Sequence, residues 1–170
     1  MNGISAATGA SEQAPVVIER SYDARVEDLW ALWTTKDGFE SWWGPVGFRV
    51  EVKALEARRG GALDYEMIAD APEAIAAMKR MGQPLTHRTR GMYSEFEPHE
   101  RLTLVHVIDF VPGSGVYQSL IDVSFGTAEG KARMTVSLHP HPDPHWTRMT
   151  AQGFGSQLTK LDERFGWSGG

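Results

Sequence analysis

The spacing of apolar residues changes period several times along this chain. Val16, Val17 and Ile18 form a short apolar run, which predicts a first strand over Pro15–Tyr22. Val26, Leu29, Trp30 and Trp33 then fall at i, i+3, i+4 and i+7, one face of a helix, with Asp23 in its N-cap region. A second short helix is predicted over Lys36–Trp43, stopped by Gly44-Pro45. Phe48, Val50 and Val52 alternate with Arg49, Glu51 and Lys53, the pattern of a half-buried strand. After the Arg59-Gly60-Gly61 turn, Ala62–Ala69 reads as a strand with Leu63, Tyr65 and Met67 on one face. Pro72 suits a first helical turn, so Pro72–Met81 is predicted as a helical insertion with Ile75, Ala76, Met78 and Met81 as its apolar set. Gly82-Gln83-Pro84 closes it.

Four more strands are predicted, over Thr86–Glu97, Arg101–Val111, Val116–Gly126 and Lys131–His139. Their connections are short, which favours antiparallel hairpins. Asp143-Pro144 supplies an N-cap and a first helical residue. A stripe of Trp146, Met149, Phe154, Gln157, Leu158, Leu161 and Phe165 carries that last helix through the end. Gly153 and Gly155 interrupt it. Each costs about 1 kcal/mol relative to alanine in a helix interior, so the pair marks either a close approach to the sheet or space left for a ligand. The order of elements predicts an α+β fold, a curved antiparallel sheet wrapped around a long C-terminal helix.

The chain has 170 residues, enough for one domain with a real core. Residues 1–14 are small and polar and are expected to be a disordered arm, with the domain over 15–167. The arm lacks the basic start and apolar centre of a signal peptide. No apolar run approaches the roughly 20 residues of a membrane span, and a soluble cytoplasmic protein is expected. Net charge is −5 with no basic stripe, which gives nucleic-acid binding no electrostatic support. Cysteine is absent, which excludes disulfides, thiol catalysis and thiolate metal sites.

The residues with the most chemical information are aromatic. Three of the six tryptophans, Trp33, Trp42 and Trp43, fall within eleven residues. With Phe39 and Phe48 they form either a tight core or the wall of a cavity, and one element can do both. On the sheet, the candidates for an inward face are Tyr65, Met67, His87, Met92, Leu104, His106, Tyr117 and Ile121. The Leu102-Leu104-His106-Ile108-Phe110 parity is assigned to that face because its side chains are larger. His106 then sits among apolar neighbours, either as a satisfied structural histidine or as a ligand partner or general base. The His139-Pro140-His141-Pro142-Asp143-Pro144-His145 run suggests metal, but it has no helical i, i+4 pair and no third ligand of known position. It is read as a strand-to-helix connector, and no metal or cofactor is expected. No Ser-His-Asp order or phosphate loop stands out. Met78 and Met81 suit a lid or a small helix packed on a rim.

Three segments resemble a known family. Val17-Ile18-Glu19-Arg20-Ser21-Tyr22-Asp23-Ala24 leading into Val26-Glu27-Asp28-Leu29-Trp30 is similar to the opening strand and helix of the START-like, or SRPBCC, superfamily. Trp33-Thr34 through Trp42-Trp43-Gly44-Pro45 resembles its aromatic signature, and Gly153-Phe154-Gly155-Ser156-Gln157-Leu158-Thr159-Lys160-Leu161 its gripping helix. The narrower resemblance is to the bacterial AHSA-type branch, named for homology to an activator of a heat-shock chaperone's ATPase. It covers roughly 16–167, and the 71–84 insertion is longer than the family's hairpin. The resemblance implies a helix-grip fold with a cavity between sheet and C-terminal helix that takes a small hydrophobic or amphipathic ligand. Trp33, Trp42, Trp43, Phe48, Tyr65, Met67, Leu104, Tyr117 and Phe154 would wall it, and His106 and His87 would orient the ligand's polar end. The alternatives are a co-chaperone-like protein-interaction domain, and a cyclase or hydratase-type enzyme using His106 with Asp122 or Tyr117. Exposed strand edges leave a homodimer open.

Overall fold

A computed structural model describes residues 14–109, 111 and 113–167; the expected arm, apart from residue 14, and Phe110 lie outside the described residues. Seven strands form one antiparallel sheet: β1 (Val16–Tyr22), β2 (Phe48–Leu55), β3 (Ala62–Ala69), β4 (Thr86–Glu97), β5 (Arg101–Ile108), β6 (Tyr117–Ala128) and β7 (Lys131–Leu138). Their spatial order is β1-β7-β6-β5-β4-β3-β2. From β2 to β7 each strand pairs with its neighbour in sequence, across the helical insertion between β3 and β4 as well, and β1 closes on β7. Four helices complete the fold: α1 (Val26–Thr34), α2 (Lys36–Glu40), α3 (Pro72–Arg80) and α4 (Pro144–Phe165). This is the helix-grip architecture, a curled sheet with a long helix in its palm.

The core lies between the inner sheet face, α1 and the second half of α4. Leu63 and Tyr65 on β3, Leu102 and Leu104 on β5, Ile121 and Val123 on β6, and Met134, Val136 and Leu138 on β7 are all buried. Leu158 and Leu161 meet them from α4. The inner parity of β5 is the expected one. Its other face is also partly closed, since Thr103 and Val105 are buried too. Along β4, alternation from His87 places Thr89, Gly91 and Tyr93 inside. Met92 therefore faces outward and is exposed, a correction to its expected place.

Several ends differ from the sequence reading. α2 stops at Glu40, and Trp42 and Trp43 lie in the turn that follows, because Gly44 at φ 93° reverses the chain. α1 is capped by Arg25 and not by Asp23: the Asp28 carboxylate accepts hydrogen bonds from the Arg25 backbone N–H and guanidinium. The Asp23 N–H instead donates to the Phe165 carbonyl at 3.2 Å. β5 ends at Ile108, three residues early, and β6 runs two residues beyond Gly126. α4 begins as expected, with the Asp143 carboxylate accepting from the His145 N–H at 2.9 Å and Pro144 in the first turn. It ends at Gly166, whose left-handed φ of 78° suits a residue without Cβ.

Candidate functional site

The three clustered tryptophans come together as the sequence suggested. Their ring centroids lie 5.1–5.3 Å apart, at steep angles to one another. Phe154 of α4 lies 5.9–6.3 Å from all three, and Phe39 stacks on Trp43 at 4.6 Å. Each buried indole N–H has an acceptor. Trp33 donates to the Met134 sulfur, Trp42 to the Leu32 carbonyl at 2.9 Å, and Trp43 to the Tyr65 hydroxyl at 3.0 Å. This end of the interior is filled with aromatic rings and satisfied donors.

Trp43 also begins a polar chain into the sheet. The Tyr65 oxygen accepts from its indole, hydrogen-bonds with Thr89, and lies 3.1 Å from His106 Nε2. Burial first, and then the nearby His141, lower the His106 pKa to about 4. A neutral imidazole that accepts the phenol proton at Nε2 fits that shift. Burial pushes the Tyr65 phenol well above its usual range. Leu104, next but one on β5, is fully enclosed beside Tyr93 in register. Gly91 stands opposite His106, and a Cβ there would come within 2.9 Å of the Val105 carbonyl and 3.1 Å of the imidazole. The glycine is what lets the ring lie against β4.

The other expected residues spread outward from this centre. Met67 and His87 are half-buried partners across β3 and β4. Met67 and Phe48 approach the Gly44 turn, where a Cβ on the glycine would sit 3.8 and 3.6 Å from them. Tyr117 is not beside His106. Its hydroxyl bonds His141 Nδ1, while His141 Nε2 lies 3.1 Å from the Thr150 hydroxyl of α4. Burial lowers the His141 pKa. Ser119, in register with His106, adds a buried hydroxyl to the inner face.

Asp122 points the other way. It lies on the outer sheet face, where its carboxylate accepts from Thr103 at 2.6 Å and meets His139 Nε2 at 2.6 Å. Partial burial pushes its pKa up, but the Thr103 and His139 bonds outweigh this and hold it below the usual carboxylate value. The sheet therefore separates Asp122 from His106, which corrects their pairing as an acid-base couple. The three histidines of the proline-rich run also part company: His139 turns to Asp122, His141 to Tyr117, and His145 lies beside Trp146. Among the described residues no group of three or more His, Asp or Glu side chains is placed to hold a metal ion.

α4 is held to the aromatic turn by a row of hydrogen bonds. Gln157 Oε1 accepts from the Gly44 N–H at 3.1 Å, and Ser156 Oγ from the Val46 N–H at 3.0 Å. Lys160 donates to the Gly44 carbonyl at 2.9 Å, and Arg164 to the Ser41 carbonyl at 3.1 Å. The N-terminal half of α4, where Phe154 is the first buried residue among those described, is tied instead to the strand-to-helix connector, through the Thr147 and Thr150 hydroxyls and His141. Among the described residues, a Cβ added to Gly153 or Gly155 would meet nothing within 4 Å. Of the two explanations for this glycine pair, close approach is excluded and open space remains. Thr89, Gly91 and Ser119 escaped the sequence reading, which weighs His141 only in a metal-like run and Gln157 only as a member of the helical stripe. The usable signals were an isolated glycine inside a strand pattern and one glutamine inside an apolar helical stripe.

Residues 23–166 match the family model described as Activator of Hsp90 ATPase homolog 1-like protein. No curated protein matches the chain. Among solved structures, a Chromobacterium violaceum protein aligns with a TM-score of 0.70 at 19% identity, covering 89% of this chain and 96% of that one. The AHSA1 protein of Silicibacter pomeroyi gives 0.68 at 19% identity, with the same coverage of 89% and 96%. An Arthrobacter aurescens protein gives 0.69 at 21% identity, covering 89% and 85%. At these identities the likeness is one of fold.

Proposed function

The chain belongs to the Activator of Hsp90 ATPase homolog 1-like family, and on that premise we propose that it binds a small apolar or amphipathic molecule between the sheet and the N-terminal half of α4. The observation that carries the reading is the asymmetry of α4. Its burial begins at Phe154, and among the described residues nothing lies within 4 Å of a Cβ built on Gly153, on the flank of the buried face. The floor of the binding space is Trp43, Tyr65 and Phe154, backed by Trp33, Trp42 and Leu104. Its sides are Phe48, Met67, His87 and Tyr117, with His106 as a polar point among them. Burial of apolar ligand surface drives affinity, at about 25 cal/mol per Å² before the costs of binding.

The direct test is native mass spectrometry of the protein purified from cells, followed by denaturing extraction. A near-stoichiometric apolar molecule is the expected result. A clean apo mass would move the reading toward the family's protein-interaction role. A filling variant checks the location. Gly153→Leu puts a side chain into the open space and should weaken capture at least tenfold without unfolding the domain. Phe154→Trp is the poorer probe, because Phe154 already touches three tryptophans and overpacking costs about 1–3 kcal/mol. Unchanged capture by Gly153→Leu would count against this placement.

A further inference from the structure

We infer that Gln157 is the polar anchor of this cavity and selects ligands that carry a carbonyl or carboxylate oxygen on an apolar body. The inference rests on the ligand-binding reading above and adds to it a ligand class and the atom that recognises it. Gln157 is 4% exposed. Its amide orientation is fixed by its partner: the Gly44 backbone N–H is a donor, so the atom facing it at 3.1 Å is the carbonyl Oε1. The amide NH2 therefore points elsewhere, and among the described residues no acceptor lies within hydrogen-bond distance of Nε2. A sealed donor without an acceptor is costly, and proteins leave few of them.

The direction of the side chain says where its acceptor belongs. Helical side chains lean toward the N-terminus over the residue four positions back, which for Gln157 is Gly153. A Cβ there, as at Gly155, would meet nothing within 4 Å among the described residues. On its other side Gln157 touches the Gly44 turn, beside Met67 and Phe48. The donor thus stands at the border between the clamped half of α4 and the open half. Lys160 Nζ, one turn further on, is occupied by the Gly44 carbonyl at 2.9 Å. Because Nε2 is sealed, an acceptor oxygen would reach it from the Gly153 side as the N-terminal half of α4 moves outward, with its apolar body laid along Trp43 and Phe154. A hydrocarbon there would leave the amide unpaired, so the site discriminates by the cost of an unmade bond.

Three probes with one body separate the possibilities: 2-ethylnaphthalene, 2-acetylnaphthalene and 2-naphthoate, titrated by tryptophan fluorescence and calorimetry. The wild type is expected to bind the ketone or the carboxylate about tenfold more tightly than the hydrocarbon. The tighter of those two tells whether the natural acceptor is neutral or anionic. Gln157→Leu should remove that preference and bind 2-ethylnaphthalene at least as well as the wild type does. In the unmutated protein, the Gln157 side-chain amide resonances should shift with the preferred oxygen-bearing probe and stay put with the hydrocarbon, a readout that does not depend on the variant folding. Equal binding of all three probes, or a preference that survives Gln157→Leu, would overturn the anchor while leaving the cavity intact. Failure of all three to bind would overturn the cavity reading and the anchor together.

Discussion

At the residue scale the interior holds two histidines whose environments disfavour charge. Burial, with a smaller contribution from His141, takes His106 to about 4, and burial lowers His141 as well. A histidine depressed in the folded state binds its proton more readily once unfolded. Stability is then fully present above the unfolded value of about 6.5 and is lost as pH falls toward the folded value. For His106 the window is pH 6.5 down to about 4. Asp122 and Glu40, held low in the folded state, lose their contribution only below about pH 4.5, where unfolded carboxylates begin to protonate. Urea unfolding at pH 7.5 and 5.0 should therefore show a loss of about 1–2 kcal/mol, and His106→Asn should flatten most of that difference at some cost in stability at pH 7.5. An unaltered slope in the variant would mean that His106 is not the group protonating on unfolding. These partnerships were invisible in the sequence. Tyr65 and His106 are 41 positions apart, and Tyr117 and His141 are 24 apart. Alternation put His106 on the inner face but could not name its partner, and the parity that put Ile121 inside already argued against pairing His106 with Asp122.

At the scale of elements, α4 is two helices in one. Its C-terminal half is bolted to the aromatic turn through Ser156, Gln157, Lys160 and Arg164, and to β1 through Asp162, which accepts from Tyr22 at 2.6 Å and Arg20 at 3.0 Å. Its N-terminal half holds on mainly through the Asp143 cap and the Thr147 and Thr150 contacts with His141. Glycine has opposite meanings in α4 and in β4. Gly153→Ala adds a methyl into open space and should stabilise the protein by about 0.5–1 kcal/mol through helix propensity alone. Gly91→Ala drives a methyl against the carbonyls of Val105 and Leu63, at 2.9 and 3.2 Å, which neighbouring strands cannot move aside. It should destabilise by roughly 1–3 kcal/mol. Denaturant melts of the two variants give the signs, and a destabilising Gly153→Ala would remove the claim of open space. The elements themselves were legible where one rule dominated. β3 and β4 fall on their expected bounds because alternation and turn residues agree. α2 came out short because Trp42 and Trp43, read as helical, are anchored one by one to the Leu32 carbonyl and the Tyr65 hydroxyl from within a turn. Those tertiary bonds override local propensity.

At the scale of the whole molecule, the domain has a closed end and an open end, and the proposed binding function draws on the difference in burial between them. At the closed end, α1, the aromatic cluster and the second half of α4 leave Trp33, Trp42, Tyr22 and Leu158 fully enclosed. At the other end lie α3, which has no buried residue, and the exposed apolar side chains of Val46, Met81, Leu85, Val116 and Met149. Local opening is drawn from regions with few buried apolar contacts, and a buried ligand must enter through such a region. The sheet edges do not supply an alternative mobile element. β2 carries Arg49, Glu51 and Lys53 in a charged row, and its Val52 N–H is already taken by the Glu40 carboxylate at 2.7 Å, features that blunt pairing at that edge. Hydrogen exchange read by mass spectrometry should therefore split α4 in two. Peptides from 144–153 and from α3 should exchange at least tenfold faster than peptides from 156–165 and from β5 to β7. A bound ligand should slow the first group selectively, because its weight would fall on the half of the helix that carries the less buried side-chain surface. Uniform protection along α4 would mean that the helix closes as one body, and a ligand path beneath its N-terminal half would then have no physical basis.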